Sequence, residues 1–355
     1  MNIVFRVDSS IEIGSGHVMR CLTLAEQFKE NNDTVEFICR KAEGSMETFI
    51  EDRGFRVYLL PKIQDSLWTW TATNWRQDID ETKQYLVDKK IDLVIVDHYA
   101  IDEKWTKSVN TYTRKILIID DYRKKFQECD ILLDPSYGME GLEQIYKVRN
   151  PIKTRFFLGT KYTLLRNEFS NITPIDISSQ KEKIIHIFFG SMDEFNYTLR
   201  FSKYLIESFT DIKLLIVVGP YYKFYTELQG LETKYNNRIK IYQNAQNMAE
   251  LMTMCYMSIG APGTATWERA AVGLPALYLS TAENQFPILK SLQDEGICQY
   301  IGDASKIKKE EFLQFVEYYI NNFLALKEFS EKSKTLVNIK GKQVVVDEII
   351  KILGG

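Results

Sequence analysis

A strand, a glycine-rich turn and a helix occupy residues 2–30, and this unit restricts the chain more than any other stretch. Ile3-Val4-Phe5-Arg6-Val7 is apolar and β-branched enough for a buried parallel strand. The strand ends at Asp8, and a polar loop leads to Gly14-Ser15-Gly16-His17. Beyond it, Val18, Cys21, Leu22, Leu24, Ala25 and Phe28 have the spacing of an amphipathic helix. Two glycines one residue apart let a ligand approach the backbone. The helix start behind them offers unpaired N–H groups and the positive end of its dipole. The unit therefore suits an anion, although the same glycines also serve in many folds merely to turn the chain. His17, in the first helical turn, has two roles open to it: a base beside that anion, or a residue that caps the helix and packs on the loop.

At 355 residues the chain is long enough for two α/β domains with separate cores. A formal net charge of −3 argues against a nonspecific nucleic-acid binder, which needs a basic face. The start, Met1-Asn2-Ile3, is not a secretory signal, and no apolar run approaches the roughly 20 residues of a membrane helix. The cysteines at 21, 39, 129, 255 and 298 are odd in number and form no CxxC, as expected of buried thiols in a cytoplasmic protein. Histidines stand only at 17, 98 and 186, too few for a histidine metal site, so neither a metal nor a cofactor is expected.

A strand–helix alternation continues along the chain. Strands are expected at 34–39, 55–59, 91–96, 115–119 and 131–134, and a short helix ends at Gly54. The polar stretch 61–78 carries Trp68, Trp70 and Trp75 and reads as a loop, either a lid or subunit contact or a segment packed on its own domain. Ile91–Val96 delivers Asp97-His98-Tyr99 at its C-terminal end, the edge where open parallel sheets bind ligands. Asp97 equally suits a turn cap. Asp120 and Asp121 follow the next strand and read as turn formers first and sugar contacts second. A polar segment, 170–183, reads as a linker between a domain at 1–169 and another at 184–355.

The second domain opens with Ile184–Phe189, with His186 as a core residue, followed by Gly190-Ser191-Met192. Further strands are expected at 214–220, 238–242, 257–260 and 275–279. Ala261-Pro262-Gly263-Thr264-Ala265-Thr266-Trp267-Glu268 opens a helix, and its glycine and threonines make a second anion site. Glu268 is either a helix-start carboxylate or an acceptor for a ribose diol. Helices near 308–327 and 342–352 read as structural, and the last is able to cross back to the first domain.

Phe5-Arg6-Val7-Asp8-Ser9-Ser10 and Ile13-Gly14-Ser15-Gly16-His17-Val18-Met19-Arg20-Cys21-Leu22-Thr23-Leu24-Ala25 closely resemble a known signature. It is that of the UDP-sugar hydrolases of pseudaminic acid biosynthesis. Those enzymes act on UDP-2,4-diacetamido-2,4,6-trideoxy-β-L-altropyranose. The resemblance extends over about residues 2–300 and includes Val96-Asp97-His98-Tyr99, Leu164-Leu165-Arg166-Asn167-Glu168-Phe169 and Glu283-Asn284-Gln285. It implies an α/β protein with two Rossmann-like domains facing a cleft, the glycosyltransferase-B-like architecture. It also implies that His17 is the catalytic base and that Arg6, Asp8, Gly14, Ser15, Gly16, Tyr99, Asn284 and Gln285 contact the substrate. Gly190, Ser191, Gly263, Thr264, Ala265, Thr266 and Glu268 would hold the nucleotide. The implied reaction is metal-independent, inverting hydrolysis of a UDP-sugar by water. Pro135-Ser136-Tyr137-Gly138, Asn167 and Met192 depart from the family pattern, which leaves one wall of the sugar pocket and the phosphate loop open. A glycosyltransferase of the same fold and a non-enzymatic nucleotide-sugar-binding subunit are the alternatives.

Overall fold

A computed structural model describes residues 1–121, 123, 128–137, 141–149 and 154–354; Gly138 lies outside the described residues. The chain divides into two compact units, Met1–Arg166 with Lys340–Gly355, and Asn167–Ile339.

The first unit runs β1 (Asn2–Val7), α1 (Gly16–Glu30), β2 (Thr34–Arg40), α2 (Glu47–Asp52), β3 (Arg56–Leu60), α3 (Leu67–Thr73), α4 (Trp75–Lys83), β4 (Ile91–Asp97), α5 (Glu103–Val109), β5 (Thr113–Ile119), β6 (Ile131–Asp134), α6 (Leu142–Arg149) and β7 (Arg155–Leu158). Its strands form one parallel sheet in the order β3-β2-β1-β4-β5-β6-β7. Both faces are covered, which is why these strands read as continuous apolar runs. Ile3, Phe5 and Val7 pack with Val18, Cys21, Leu22 and Ala25 of α1 on one face, while Val4 packs with Ile79, Ile101 and Trp105 on the other.

The second unit runs β8 (Lys183–Phe188), α7 (Tyr197–Ser208), β9 (Ile212–Val218), α8 (Tyr225–Lys234), β10 (Ile239–Gln243), α9 (Met248–Thr253), β11 (Met257–Gly260), α10 (Thr264–Val272), β12 (Ala276–Ser280), α11 (Phe286–Asp294), β13 (Gln299–Asp303), α12 (Lys309–Asn321) and α13 (Phe323–Lys334). Its sheet is parallel with the order β10-β9-β8-β11-β12-β13 around a core that includes Ile185, Ile187, Phe201, Ile216, Ile259 and Leu277.

The last helix, α14 (Gly341–Gly354), belongs to the first unit, so the second ends at Ile339 instead of running to the C-terminus. The reason is apolar: Val345, Val346, Ile349 and Leu353 join the core cluster of α1 and β1. Gly341 allows the close approach, since a Cβ there would meet the Thr163 carbonyl oxygen at 2.3 Å. The division also comes at Arg166, before the expected linker at 170–183, whose Ile175 and Ile177 are buried and whose Ile175 N–H donates to Val272.

Three local expectations differ from what is observed. Residues 67–73 and 75–78 are helical, not loop, because Ser66 caps α3 and Leu67 and Thr71 anchor it in the interior. The single helix expected at 308–327 is two, since the Asn322 side chain accepts from the Ala325 N–H and starts α13 anew. The edge strand β13 has no sequence signal, for it is short, half-buried and irregular where it pairs with β12. Among the described residues no helix is long and apolar enough to cross a membrane.

Candidate active site

In the first sheet the strand order reverses between β1 and β4, and such a switch point is where open α/β sheets bind ligands. β1 feeds the loop that ends in α1, so His17 stands there; β4 ends at Asp97, directly beside Val7 in the ladder. His17 Nδ1 lies 2.6 Å from Asp97 Oδ1. The Arg20 guanidinium grips the same carboxylate through Nε and an Nη at 2.5 and 2.6 Å, and its other Nη donates to Asp121 at 2.9 Å. The Tyr99 hydroxyl donates to Asp121 Oδ1 at 2.5 Å.

These contacts determine protonation. Burial alone would raise the Asp97 carboxyl, but Arg20 and His17 hold it far below the usual carboxylate range. Burial opposes ionisation of Asp121 too, and Arg20 and Tyr99 overcome it. Burial and the Asp121 charge push the Tyr99 phenol up, so Tyr99 is a neutral donor. An ionised Asp97 only accepts, so His17 Nδ1 donates to it, and the other ring nitrogen, Nε2, makes no hydrogen bond among the described residues. That is the arrangement of a base oriented by a carboxylate.

Arg20 completed this site without being singled out beforehand, together with Asp121, read from the sequence as a turn former first and a sugar contact second. Arg20 lies three residues after His17, hence on the same helical face, which is the signal that could have found it. Asp97 and Asp121 were legible only as polar residues at strand ends. Asp120 turns the chain, its carboxylate accepting from the Arg123 N–H.

Arg6 and Asp8, expected at the substrate, are instead sealed at 0% and 1% exposure. Arg6 donates to Asp8 at 2.5 Å and to Asp78 at 2.8 Å. Asp78, on α4, also accepts from Arg40 and from the Trp105 indole, both at 2.8 Å. Asp8 accepts the Arg40 N–H, and its other oxygen lies 3.1 Å from His98 Nε2. The reason is charge: at the C-terminal ends of β1 and β2 the two arginines and two aspartates neutralise one another out of water. They support the site from beneath.

Gly14 and Gly16 lead into His17. A Cβ on either would meet nothing within 4 Å, and Gly14 has φ +79°, which favours glycine. Ser15 precedes α1 without a side-chain cap, so the first N–H groups of the helix keep their capacity for a ligand. Ser136 follows β6, where its N–H donates to Asp134.

The second unit repeats the geometry. Its sheet reverses between β8 and β11, and the loops after those strands carry Gly190-Ser191 and Gly263–Glu268. The two loops adjoin: the Ala261 N–H donates to Phe188, and a Cβ on Gly260 would meet the Phe188 carbonyl oxygen at 1.9 Å. Arg269 ties them together by donating to the carbonyls of Ala261 and Phe188. Gly263 and Thr264 are exposed at the start of α10, while Ala265, Thr266 and Glu268 are buried. Thr266 accepts the Gly263 N–H, which uses one of the backbone donors expected for an anion. Asn284 and Gln285 follow β12; Asn284 is exposed, and the Gln285 amide oxygen accepts from the Thr281 N–H at 2.7 Å. Among the described residues no three His, Cys, Asp or Glu side chains are grouped as metal ligands.

Comparison with known proteins fits this geometry. No family model matches the chain. It is 30% identical over 291 residues to an uncharacterised protein of Methanocaldococcus jannaschii, covering 80% of this chain and 57% of that one, so it spans little more than half of that relative's length. It is 29% identical over 259 residues to the UDP-2,4-diacetamido-2,4,6-trideoxy-β-L-altropyranose hydrolase of Campylobacter jejuni, covering 71% and 81%. Among solved structures, MurG of Acinetobacter baumannii superposes with a TM-score of 0.68 at 17% identity over 99% and 100% of the two chains. A spinosyn rhamnosyltransferase complexed with thymidine diphosphate does so at 0.67 and 15%, over 98% and 99%. The fold is glycosyltransferase-B-like. At these identities the structures speak to the fold alone.

Proposed function

We propose that the protein hydrolyses a UDP-activated diacetamido-trideoxy hexose at its anomeric carbon, releasing UDP and the free sugar. The observation that carries this reading is the His17–Asp97 pair, with Nδ1 held at 2.6 Å where the order of the first sheet reverses. The name and identity of the Campylobacter jejuni relative support the choice of substrate.

His17 Nε2 takes a proton from water as the water oxygen attacks the anomeric carbon, and the bond to the diphosphate oxygen breaks with inversion. Positive charge arising on the imidazole is balanced by Asp97. Within the second unit, the N-terminus of α10 at Gly263–Thr266 suits a diphosphate, and Glu268 suits a ribose diol. Tyr99 contacts the sugar, and Arg6 and Asp8 act by supporting the first loop. The chain's own groups suffice for these steps.

A second reading is transfer of the sugar to an acceptor hydroxyl, which a glycosyltransferase-B-like fold also accommodates. The purified protein, given the UDP-diacetamido sugar without acceptor in ¹⁸O-water, is expected to release unlabelled UDP and labelled sugar of inverted configuration. UDP release only with an acceptor would establish transfer. Binding without turnover would establish a carrier, and label in the nucleotide would mean attack on phosphorus.

A further inference from the structure

Trp68 belongs to the same constellation as His17, yet it lies in a stretch whose composition suggests only a polar loop. Its ring stacks on Tyr99, with centroids 5.5 Å apart and planes within 13°. It meets His17 edge-on at 5.9 Å and His98 at 4.9 Å. The segment that carries it is fastened on several sides. The Ser66 hydroxyl donates to Glu12 of the glycine-rich loop at 2.7 Å, and Leu67 and Thr71 are buried. The Arg40 guanidinium lies 4.2 Å over the Trp70 ring while its nitrogens bind Asp78 and Glu81 of α4. Trp68 is thus held against the base, and it remains half-exposed.

The charged groups around His17 are Arg20, Asp97 and Asp121, and the Tyr99 ring stands edge-on to it at 4.5 Å. The charged groups suit hydroxyl and amide groups of a ligand. A half-exposed indole beside them suits the opposite, a surface of C–H bonds, because an aromatic face gains most from apolar area and from weakly positive C–H edges. A fully hydroxylated hexose presents little such surface, whereas a sugar with hydroxyls replaced by hydrogen or by acetamido methyls presents much more.

We propose that Trp68 forms an apolar wall of the sugar subsite and selects deoxygenated, C–H-rich hexosyl groups. This deepens the function proposed above and rests on it for the presence of a sugar at His17. Tyr99 backs the indole and keeps it from turning away.

The test uses the full chain with three probes: the UDP-diacetamido-trideoxy hexose, its 6-hydroxy counterpart and UDP. Trp68→Leu keeps an apolar side chain, and Trp68→Phe keeps an aromatic one. The expected result for Trp68→Leu is a Kd for the 6-deoxy sugar nucleotide raised roughly 3- to 10-fold, the worth of one aromatic contact. The rise should be smaller for the 6-hydroxy compound and absent for UDP, with Trp68→Phe retaining most of the affinity. The sugar nucleotide, unlike UDP, should also change the tryptophan fluorescence of the wild type, and Trp68→Phe should lose that change while retaining binding. Equal affinities of wild type and Trp68→Leu for the 6-deoxy compound, with no fluorescence change, would overturn the role of Trp68 and leave the hydrolase reading standing. Wild-type binding that depends on Trp68 but is followed by no turnover would support the wall and overturn hydrolysis. Failure of the wild type to bind either sugar nucleotide would overturn both.

Discussion

His17 and Asp97, 80 residues apart in the chain, are joined by a 2.6 Å contact from Nδ1 to a carboxylate that Arg20 also grips. Replacing Asp97 by Asn keeps the shape but removes the charge that holds Nδ1–H and balances a protonated ring. Turnover should fall by roughly 10²–10⁴, the usual worth of a general base, and His17→Asn should fall as far, with UDP binding unchanged in both. Acceptor-free UDP release and calorimetry check this. Near wild-type kcat in Asp97→Asn would make the pair structural only.

Glu268 is buried behind the exposed Gly263–Thr264 turn. If it accepts from a ribose diol, Glu268→Ala weakens UDP binding by about 1–3 kcal/mol, the range for hydrogen bonds to a charged group. Turnover at saturation should change less. Unaltered UDP affinity by calorimetry would return the residue to a helix-start role.

Asp78 accepts from Arg6, Arg40 and Trp105, and its carboxylate is wholly buried. Asp78→Ala leaves two buried guanidiniums short of a partner and should cost about 3–5 kcal/mol. Urea unfolding measures it, and a loss below about 1 kcal/mol would contradict the account. Burial opposes ionisation of Asp78, but Arg6 holds its carboxyl below the usual range. A depressed carboxyl stabilises the fold above the unfolded value near ~4 and loses that contribution as pH falls further.

The His186 imidazole is shifted in the same sense, downward, with the same consequence. It is sealed in the second unit with Nδ1 2.9 Å from the Ser258 hydroxyl, and burial with the nearby Arg269 pushes its pKa well below the ordinary value. The unfolded chain takes up a proton below about pH 6.5 that the folded chain refuses. Stability contributed by neutral His186 is therefore complete above that pH and falls by roughly 1.4 kcal/mol per unit below it. Urea midpoints at pH 7.5 and 5.5 should differ less in His186→Asn than in the wild type. An equal difference would remove His186 as a source.

What the sequence determined by itself is local. Ile3–Val7 alternates with α1 in a pattern that only a buried strand and an amphipathic helix satisfy, and Gly14 and Gly263 occupy backbone angles, φ +79° and +141°, that side chains disfavour. Such information resides in near neighbours, so strand β1, helix α1 and the anion-ready helix starts are legible without any partner. Which polar residue meets which is not. Sheet order places β4 beside β1, and only that neighbourhood brings Asp97 to His17; nothing within either segment encodes it. The same holds for Asp78, whose helix crosses to two strand ends and converts Arg6 and Asp8 from plausible substrate contacts into a sealed ion network. Trp68 sits on a seven-residue helix too short to be stable alone, and its packing comes from Tyr99, His98 and the glycine-rich loop. The tertiary structure decided these because burial in low dielectric makes charge pairing obligatory, and the partners that satisfy it are set by topology.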